Sequence, residues 1–453
     1  MMGVVVVTIN YRLEILGFLT AADNILPGNY GLRDVVMALN WVHDNIASFR
    51  GDASRVTLVG HSVGSALVGI LMTLPSTQGL FWTAVTHSGS AAAYYSCFTN
   101  QSTNFTEYIR SFGLAVGCED NNYNVTRIKS CLKNVSTDSF LEFNQQFNSA
   151  FGVEYRPMID NKLLMEHPRE AFKAGRYHKV PVYTGVVQNE FSYIIDHVSQ
   201  FGSESIKSEM LRLQNEMMTC NSGKMLSIIE SIELNYIDWN QSLEFKQNNN
   251  TKDDFIKYNY YDLANDILMI APSLFLSDVL SATNPDVFFY YFEHEKSLHV
   301  FDINYIFGVP FGNEPVENYV WNKKWNESTV EDQKLSEKML KLWVSIFQNS
   351  KPDPIDGITW PRYNKTTQHY ITISMQPTTI GQYFRIKTNY FWNTYLPKFF
   401  QKICGNTVHE WSAIFTTPKD RAVVFQSEIF ILLLPIVVEM IFTISRHIGL
   451  YLL

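Results

Sequence analysis

Five consecutive residues carry the strongest chemical signal in this chain: Gly60-His61-Ser62-Val63-Gly64. They follow the apolar run Val56-Thr57-Leu58-Val59 and open a small-residue stretch, Ser65-Ala66-Leu67-Val68-Gly69. Strand, G-x-S-x-G and helix in that order form the context of a nucleophile elbow. There a serine hydroxyl stands at the top of a parallel sheet, on a turn so tight that only glycine fits at its flanks. Such a hydroxyl can attack an acyl carbon, and the N-terminus of the following helix favours the negative charge that develops. The serine needs a base to take its proton, and the resulting imidazolium needs a carboxylate to orient and stabilise it. In sheets of this kind the acid and the histidine follow the serine along the chain, in loops after later strands. His61 adjoins the serine and cannot easily fold back onto its hydroxyl. His43, His167, His178 and His197 come before or close to the stretch where the acid belongs. Position therefore favours His294 and His299, both beyond the aromatic run at 287–292, and spacing alone does not separate them.

The elements that must carry these residues are readable from hydrophobic patterning. Residues 1–90 alternate apolar runs with helical periodicity, the rhythm of βαβ units. Strands are predicted at 4–9, 55–59, 81–86, 180–185 and 287–292. The strand at 180–185 leads into Gln188-Asn189-Glu190. Val36, Leu39, Val42 and Ile46 repeat at helical spacing and predict a helix over 34–46. An amphipathic helix is expected over 335–348, ended by Pro352-Asp353-Pro354, and another over 391–402. Residues 200–280 read as helices interrupted by a polar loop at 247–254. The fold class is α/β, a mostly parallel central sheet flanked by helices.

Composition narrows the function classes. A net charge of −8 argues against nucleic acid or an anionic membrane surface as the main partner. None of Cys97, Cys118, Cys131, Cys220 and Cys404 has the C-x-x-C spacing of a zinc site, and no metal or cofactor is called for. Cys118 and Cys131 bracket a short polar loop that a disulfide could close. N-x-S/T sequons at Asn100, Asn104, Asn124, Asn134, Asn240, Asn249, Asn326 and Asn364 cluster in polar segments, which fits a glycosylated protein of the secretory pathway. Residues 429–444 are nearly unbroken in hydrophobicity but contain Pro435 and Glu439. A span wants about twenty apolar residues, so this segment leaves membrane anchoring open. The N-terminus reads as a strand already under way, with no secretory signal; the expectation is a truncated gene model or a fragment of a longer protein. Nothing in the pattern specifies an oligomeric state.

The chain resembles the type-B carboxylesterases, the family that includes cholinesterases. The resemblance runs through Asn10-Tyr11-Arg12, Gly17-Phe18-Leu19, Pro27-Gly28-Asn29-Tyr30-Gly31-Leu32-Arg33-Asp34, Trp41 to Ile46, Gly60 to Gly64, Ser88-Gly89-Ser90, Gly185 to Glu190, His299 to Pro310, Trp360-Pro361 and Phe391-Trp392-Asn393. It implies an α/β-hydrolase fold over 1–410, incomplete at the N-terminus, with 411–453 as a C-terminal tail. It further implies a triad of Ser62 as nucleophile, Glu190 as orienting acid and His299 as base, with Ser88 as a supporting serine and Cys118–Cys131 as a disulfide. The reaction implied is hydrolysis of small-molecule carboxylic esters through an acyl-serine intermediate. The backbone N–H of Val63 would serve the oxyanion. The family's other oxyanion donors come from a Gly-Gly loop upstream of Asn10, which this sequence does not contain, so the polypeptide as given is expected to be nearly inactive. Ala271 and Asn389 stand where a late family disulfide has its cysteines. His61 stands where cholinesterases carry a glutamate, which disfavours choline esters. The competing expectation is a non-catalytic adhesion or binding ectodomain of the neuroligin kind.

Overall fold

The computed structural model describes residues 3–97, 105–118, 124–140, 142, 155–190, 222–236, 261–294, 297–312, 316–318, 323–325, 328–404 and 451–452. Its strands are β1 (Val7–Thr8), β2 (Thr57–His61), β3 (Thr83–His87), β4 (Val182–Val187), β5 (Val287–Phe292), the hairpin β6 (Val316–Asn318) and β7 (Lys323–Trp325), then β8 (His369–Ile373), β9 (Thr379–Gln382) and β10 (Tyr451–Leu452). All but the hairpin join one eight-stranded sheet in the order β1-β10-β2-β3-β4-β5-β8-β9. From β2 to β8 every pairing is parallel. β9 closes that end antiparallel to β8, and β10 lies antiparallel between β1 and β2, Leu452 opposing Val7 on one side and Leu58 on the other.

Why the central strands are apolar throughout follows from where their side chains go. Successive residues point to opposite faces of a strand, and here each face is covered. Leu58, Ala84, Val182, Val186, Val287 and Phe289 feed one core, packed against Leu32, Val35 and Leu39 of the helix Tyr30–Asn45 and Leu67, Val68 and Leu71 of the helix Val63–Thr73. Val59, Val85, Tyr183, Val187, Phe288, Tyr290 and Phe292 feed the other, with Met339, Trp343 and Ile346 of the helix Val330–Asn349 and with Trp360. Each such side chain taken from water contributes about 2 kcal/mol before entropic costs. Strands buried on both faces cannot alternate apolar with polar residues. A third cluster joins Ile15, Leu19 and Leu26 to Tyr108, Ile109 and Phe112 of the helix Phe105–Ala115 and to Ile128 of the helix Val125–Leu132.

β5 falls where the sequence predicts it, while β2, β3 and β4 each start two residues later and end one or two residues further on. Asp52 caps a short 3-10 turn at Ala53–Arg55, which delays the entry to β2. At their far ends β2 and β3 run on through His61 and His87, which pair with each other in register. Polar residues hide those ends in a hydrophobicity reading. β1 is shorter than the predicted 4–9, pairing through Val7 and Thr8 among the described residues. Tyr261–Leu280 is apolar and long enough to cross a membrane, yet 78% of an 18-residue stretch within it is buried inside the protein. It is a core helix. The apolar segment 429–444 lies outside the described residues.

Candidate active site

The elbow begins with a backbone that few residues tolerate. Ser62 has φ 58° and ψ −122°, between the last residue of β2 and the first of the helix Val63–Thr73. A positive φ is costly for a serine and persists only where the surroundings over-determine it. They do so here. Ser62 N–H donates to the His87 carbonyl at 2.9 Å, and the single Ser65 hydroxyl proton faces the carbonyls of both Gly60, 2.8 Å from Oγ, and His87, 2.7 Å from it. A Cβ on Gly60 would stand 2.3 Å from the Gly64 carbonyl oxygen, and one on Gly89 would stand 2.2 Å from that of Ser62. Both glycines are therefore steric requirements of the turn. As the first helical residue, Val63 has an N–H that no intrahelical carbonyl can satisfy.

β4 and β5 run parallel to β2 and end on the same edge of the sheet as this turn, one and two strands beyond β3. Glu190 follows β4 and is fully buried. Its Oε1 accepts from the Val187 N–H at 2.9 Å, and its Oε2 lies 2.7 Å from Nδ1 of His299. A buried carboxylate at Nδ1 fixes the imidazole with its proton on that nitrogen and Nε2 as the basic atom. Val300, a β-branched residue at φ 80°, makes the turn between His299 and the helix Phe301–Ile306, another strained conformation next to a candidate site residue. The His299 ring, fully buried, lies 4.5 Å centroid to centroid from the ring of His61. That contact sets His299 against the residue immediately before Ser62. His294 goes elsewhere: its Nε2 is 3.2 Å from the Tyr305 hydroxyl and 3.7 Å from Oδ1 of Asp332. The two histidines that spacing left equivalent thus have different carboxylate neighbours. Ser88, also at positive φ, is fully buried at the end of β3. Its N–H donates to the Gly185 carbonyl at 2.9 Å, and its hydroxyl has no partner among the described residues.

Behind the elbow lies a polar group that sequence reasoning missed. Nδ1 of His87 is 2.6 Å from the Tyr290 hydroxyl and 3.2 Å from Oδ2 of Asp302, and Tyr290 donates to that same oxygen at 2.7 Å. Trp343 Nε1 donates to Nε2 of His87 at 3.3 Å. An indole nitrogen can only donate, so the His87 proton sits on Nδ1, facing the carboxylate. Burial pulls the Asp302 carboxyl upward, but the hydrogen bond from His87, the neighbouring imidazoles and the Tyr290 hydroxyl outweigh it and hold it below the usual carboxylate range. Burial, then the Asp302 charge, pushes Tyr290 well above the ordinary phenol. The available signal was position: His87 ends the strand next to the elbow, and Asp302 is one helical turn beyond His299.

Further from the site, Cys118 and Cys131 form the disulfide that the resemblance implies, their Cα atoms 5.5 Å apart. Where the resemblance places two absent cysteines, Asn393 bridges instead. Its Nδ2 donates to the Ala271 carbonyl and to Asn389 Oδ1, each at 2.8 Å. Among the described residues, no three His, Cys, Asp or Glu side chains are grouped to hold a metal ion.

With this geometry in hand, comparison with known proteins is informative. The rat (Rattus norvegicus) pyrethroid hydrolase Ces2e is similar to the chain, 28% identical over a 420-residue alignment that covers 89% of this chain and 67% of that protein. The family model described as the Carboxylesterase family matches residues 1–392, which takes in the elbow, Glu190, His299 and the whole parallel sheet from β2 to β8. The chain belongs to the carboxylesterase family and is built on its α/β-hydrolase fold.

Proposed function

We propose that this protein hydrolyses carboxylic esters through an acyl-enzyme on Ser62. His299 takes the Ser62 proton as the hydroxyl oxygen bonds to the acyl carbon, and the tetrahedral oxyanion meets the N–H of Val63. The imidazolium then gives its proton to the leaving alcohol as the ester C–O bond breaks. Water repeats the sequence: His299 deprotonates it, the new oxygen attacks the acyl carbon, and Ser62 leaves with the proton while the acid departs. Glu190 stays ionised and steadies each imidazolium. Ser88 supports the same site. The observation that carries the reading is the 2.7 Å contact of His299 with buried Glu190, on an imidazole that also packs beside the elbow.

Ester hydrolysis by the family and the pyrethroid activity in the relative's name make small uncharged esters the first substrates to try. A disulfide fits an oxidising, secretory compartment. The test is covalent. A fluorophosphonate probe is expected to label Ser62 in a protein that also carries the family's Gly-Gly oxyanion loop, and Ser62→Ala is expected to abolish both labelling and release of nitrophenol from a p-nitrophenyl ester. Undiminished labelling of the Ser62→Ala variant would falsify the assignment.

A further inference from the structure

One residue touches both halves of the candidate site without belonging to either. Through its backbone, His87 holds the elbow: its carbonyl accepts the Ser62 N–H at 2.9 Å and lies 2.7 Å from the Ser65 hydroxyl. Through its ring, it reaches the helix Phe301–Ile306, which starts two residues after His299. Nδ1 lies 2.6 Å from the Tyr290 hydroxyl and 3.2 Å from Oδ2 of Asp302. Tyr290 donates to that carboxylate oxygen at 2.7 Å, so the path of short contacts runs from imidazole N–H to phenol to carboxylate. The other Asp302 oxygen accepts the Ile303 N–H at 3.0 Å, and Trp343 Nε1 donates to Nε2 of the ring at 3.3 Å. His87, Tyr290, Asp302 and Trp343 come from β3, β5 and two different helices, and all four are fully buried. A buried polar network with every member satisfied rigidifies the elements it joins.

We propose that His87 is a positioning residue for the esterase reaction, one that fixes the turn bearing Ser62 against the helix that follows His299. The inference rests on the reading of Ser62, Glu190 and His299 given above. Proton transfer from serine to imidazole depends on their separation, and a displacement of about 1 Å costs about a hundredfold in rate. Glu190 orients the His299 ring from the end of β4. How far that ring stands from the elbow is a separate matter, set by how the helix after His299 sits against β3. Asp302 lies in the first turn of that helix and His87 ends β3, so their network acts where the separation is decided. His87 has to keep its Nδ1 proton in place and passes it to no reacting atom. Its part is geometric.

The experiment compares His87→Asn with His87→Leu in the protein that carries the Gly-Gly oxyanion loop, by the rate of fluorophosphonate labelling against pH. Rates are read well below each melting temperature, so that lost stability does not itself slow labelling. The two side chains have the same branched shape, leave the same gap beyond Nδ1 and both deprive Trp343 of its acceptor. Asn alone can place an N–H where Nδ1 stands. His87→Leu is expected to lower the plateau rate by about ten- to a hundredfold, and His87→Asn to keep it within about threefold of native. The acid-side midpoint is expected to stay in place in both, since Glu190 still holds His299. Tyr290→Phe removes the hydroxyl in the middle of the path and is expected to slow labelling several-fold; it decides the matter should His87→Leu fail to fold. Equal plateau rates for Asn and Leu, an unchanged rate in Tyr290→Phe, or a moved midpoint would overturn the inference while the serine mechanism stands. Labelling that survives Ser62→Ala would overturn the mechanism, and the inference with it.

Discussion

Glu190 is the residue at which orientation can be separated from bond making. Its Oε2 holds Nδ1 of His299, and its other oxygen is tied to the Val187 N–H, so the carboxyl plane is fixed by the end of β4. Glu190→Gln preserves the shape but removes the charge, and an amide N–H can face Nδ1 in place of an acceptor. The imidazole then presents its proton on the wrong nitrogen. We expect kcat to fall by about a hundred- to ten-thousandfold with KM little changed, measured on a p-nitrophenyl ester. His294→Ala is the matching control: it removes a contact to Tyr305 rather than to Glu190, so it should lower the melting temperature and leave kcat within a few-fold. An equal loss of kcat in both variants would argue against Glu190 having a special part. The contrast also shows what residue spacing conveys. Ser62 was legible because its glycines and flanking apolar run are local requirements of one turn. His294 and His299 were not distinguishable by position, since what separates them is which carboxylate the fold brings to each ring. The resemblance pointed to His299. His87 and Asp302 had only their positions to mark them, because their contact is made by the fold and not by a local motif.

At the scale of elements, the same division between local and long-range information recurs. The amphipathic period within 335–348 was plain, and the helix Val330–Asn349 extends it at both ends. Thr329 supplies the start through a reciprocal capping bond with Asp332, and Ser350 in the left-handed region ends it before Pro352. The helix expected over 391–402 proves to be the middle of a longer helical run, in which Phe391–Tyr395 adopts the wider π geometry between Ile386–Tyr390 and Leu396–Cys404. A π turn has no compositional signature, so the sequence could not announce it. That turn carries Asn393, whose amide joins Ala271 to Asn389. Where the resemblance leads one to look for a covalent tie between two helices, this chain has a hydrogen-bonded one. Asn393→Ala removes both bonds and leaves the Ala271 carbonyl without that donor. At about 1 kcal/mol for each ordinary hydrogen bond, the variant should lose about 2 kcal/mol of stability with ester hydrolysis unaffected, as read by denaturant titration alongside kcat. A change in kcat larger than the change in stability would mean that this junction reaches the site.

The whole molecule has a titration built into its packing that no linear motif reveals. Glu14 opens the short helix Glu14–Phe18 at φ 49°, a conformation unfavourable for any residue with a side chain, and buries its carboxyl next to the satellite core of Ile15, Tyr108 and Phe112. Tyr155 feels its charge, and the helices around it are the ones joined by Cys118–Cys131. Burial raises this carboxyl from the usual 4.5 to about 8. The sign of the consequence follows from proton counting. Between those two values the folded protein holds a proton on Glu14 that the unfolded chain has lost, so stability must fall as pH rises through that window and level off above it. Glu14→Gln removes the titration and keeps the bulk. The melting temperature of the native protein minus that of the variant is therefore expected to decline from about pH 4.5 to about pH 8 and to stay flat beyond. A difference that is constant with pH would show Glu14 titrating alike in the folded and unfolded states. Since the carboxyl lies in the satellite core, away from Ser62 and His299, its titration should move stability without moving the acid-side midpoint of probe labelling. The pH dependence expected of stability and that expected of the proposed reaction would then arise at separate places in the fold: one from a proton held in packing, the other from a proton passed at the elbow.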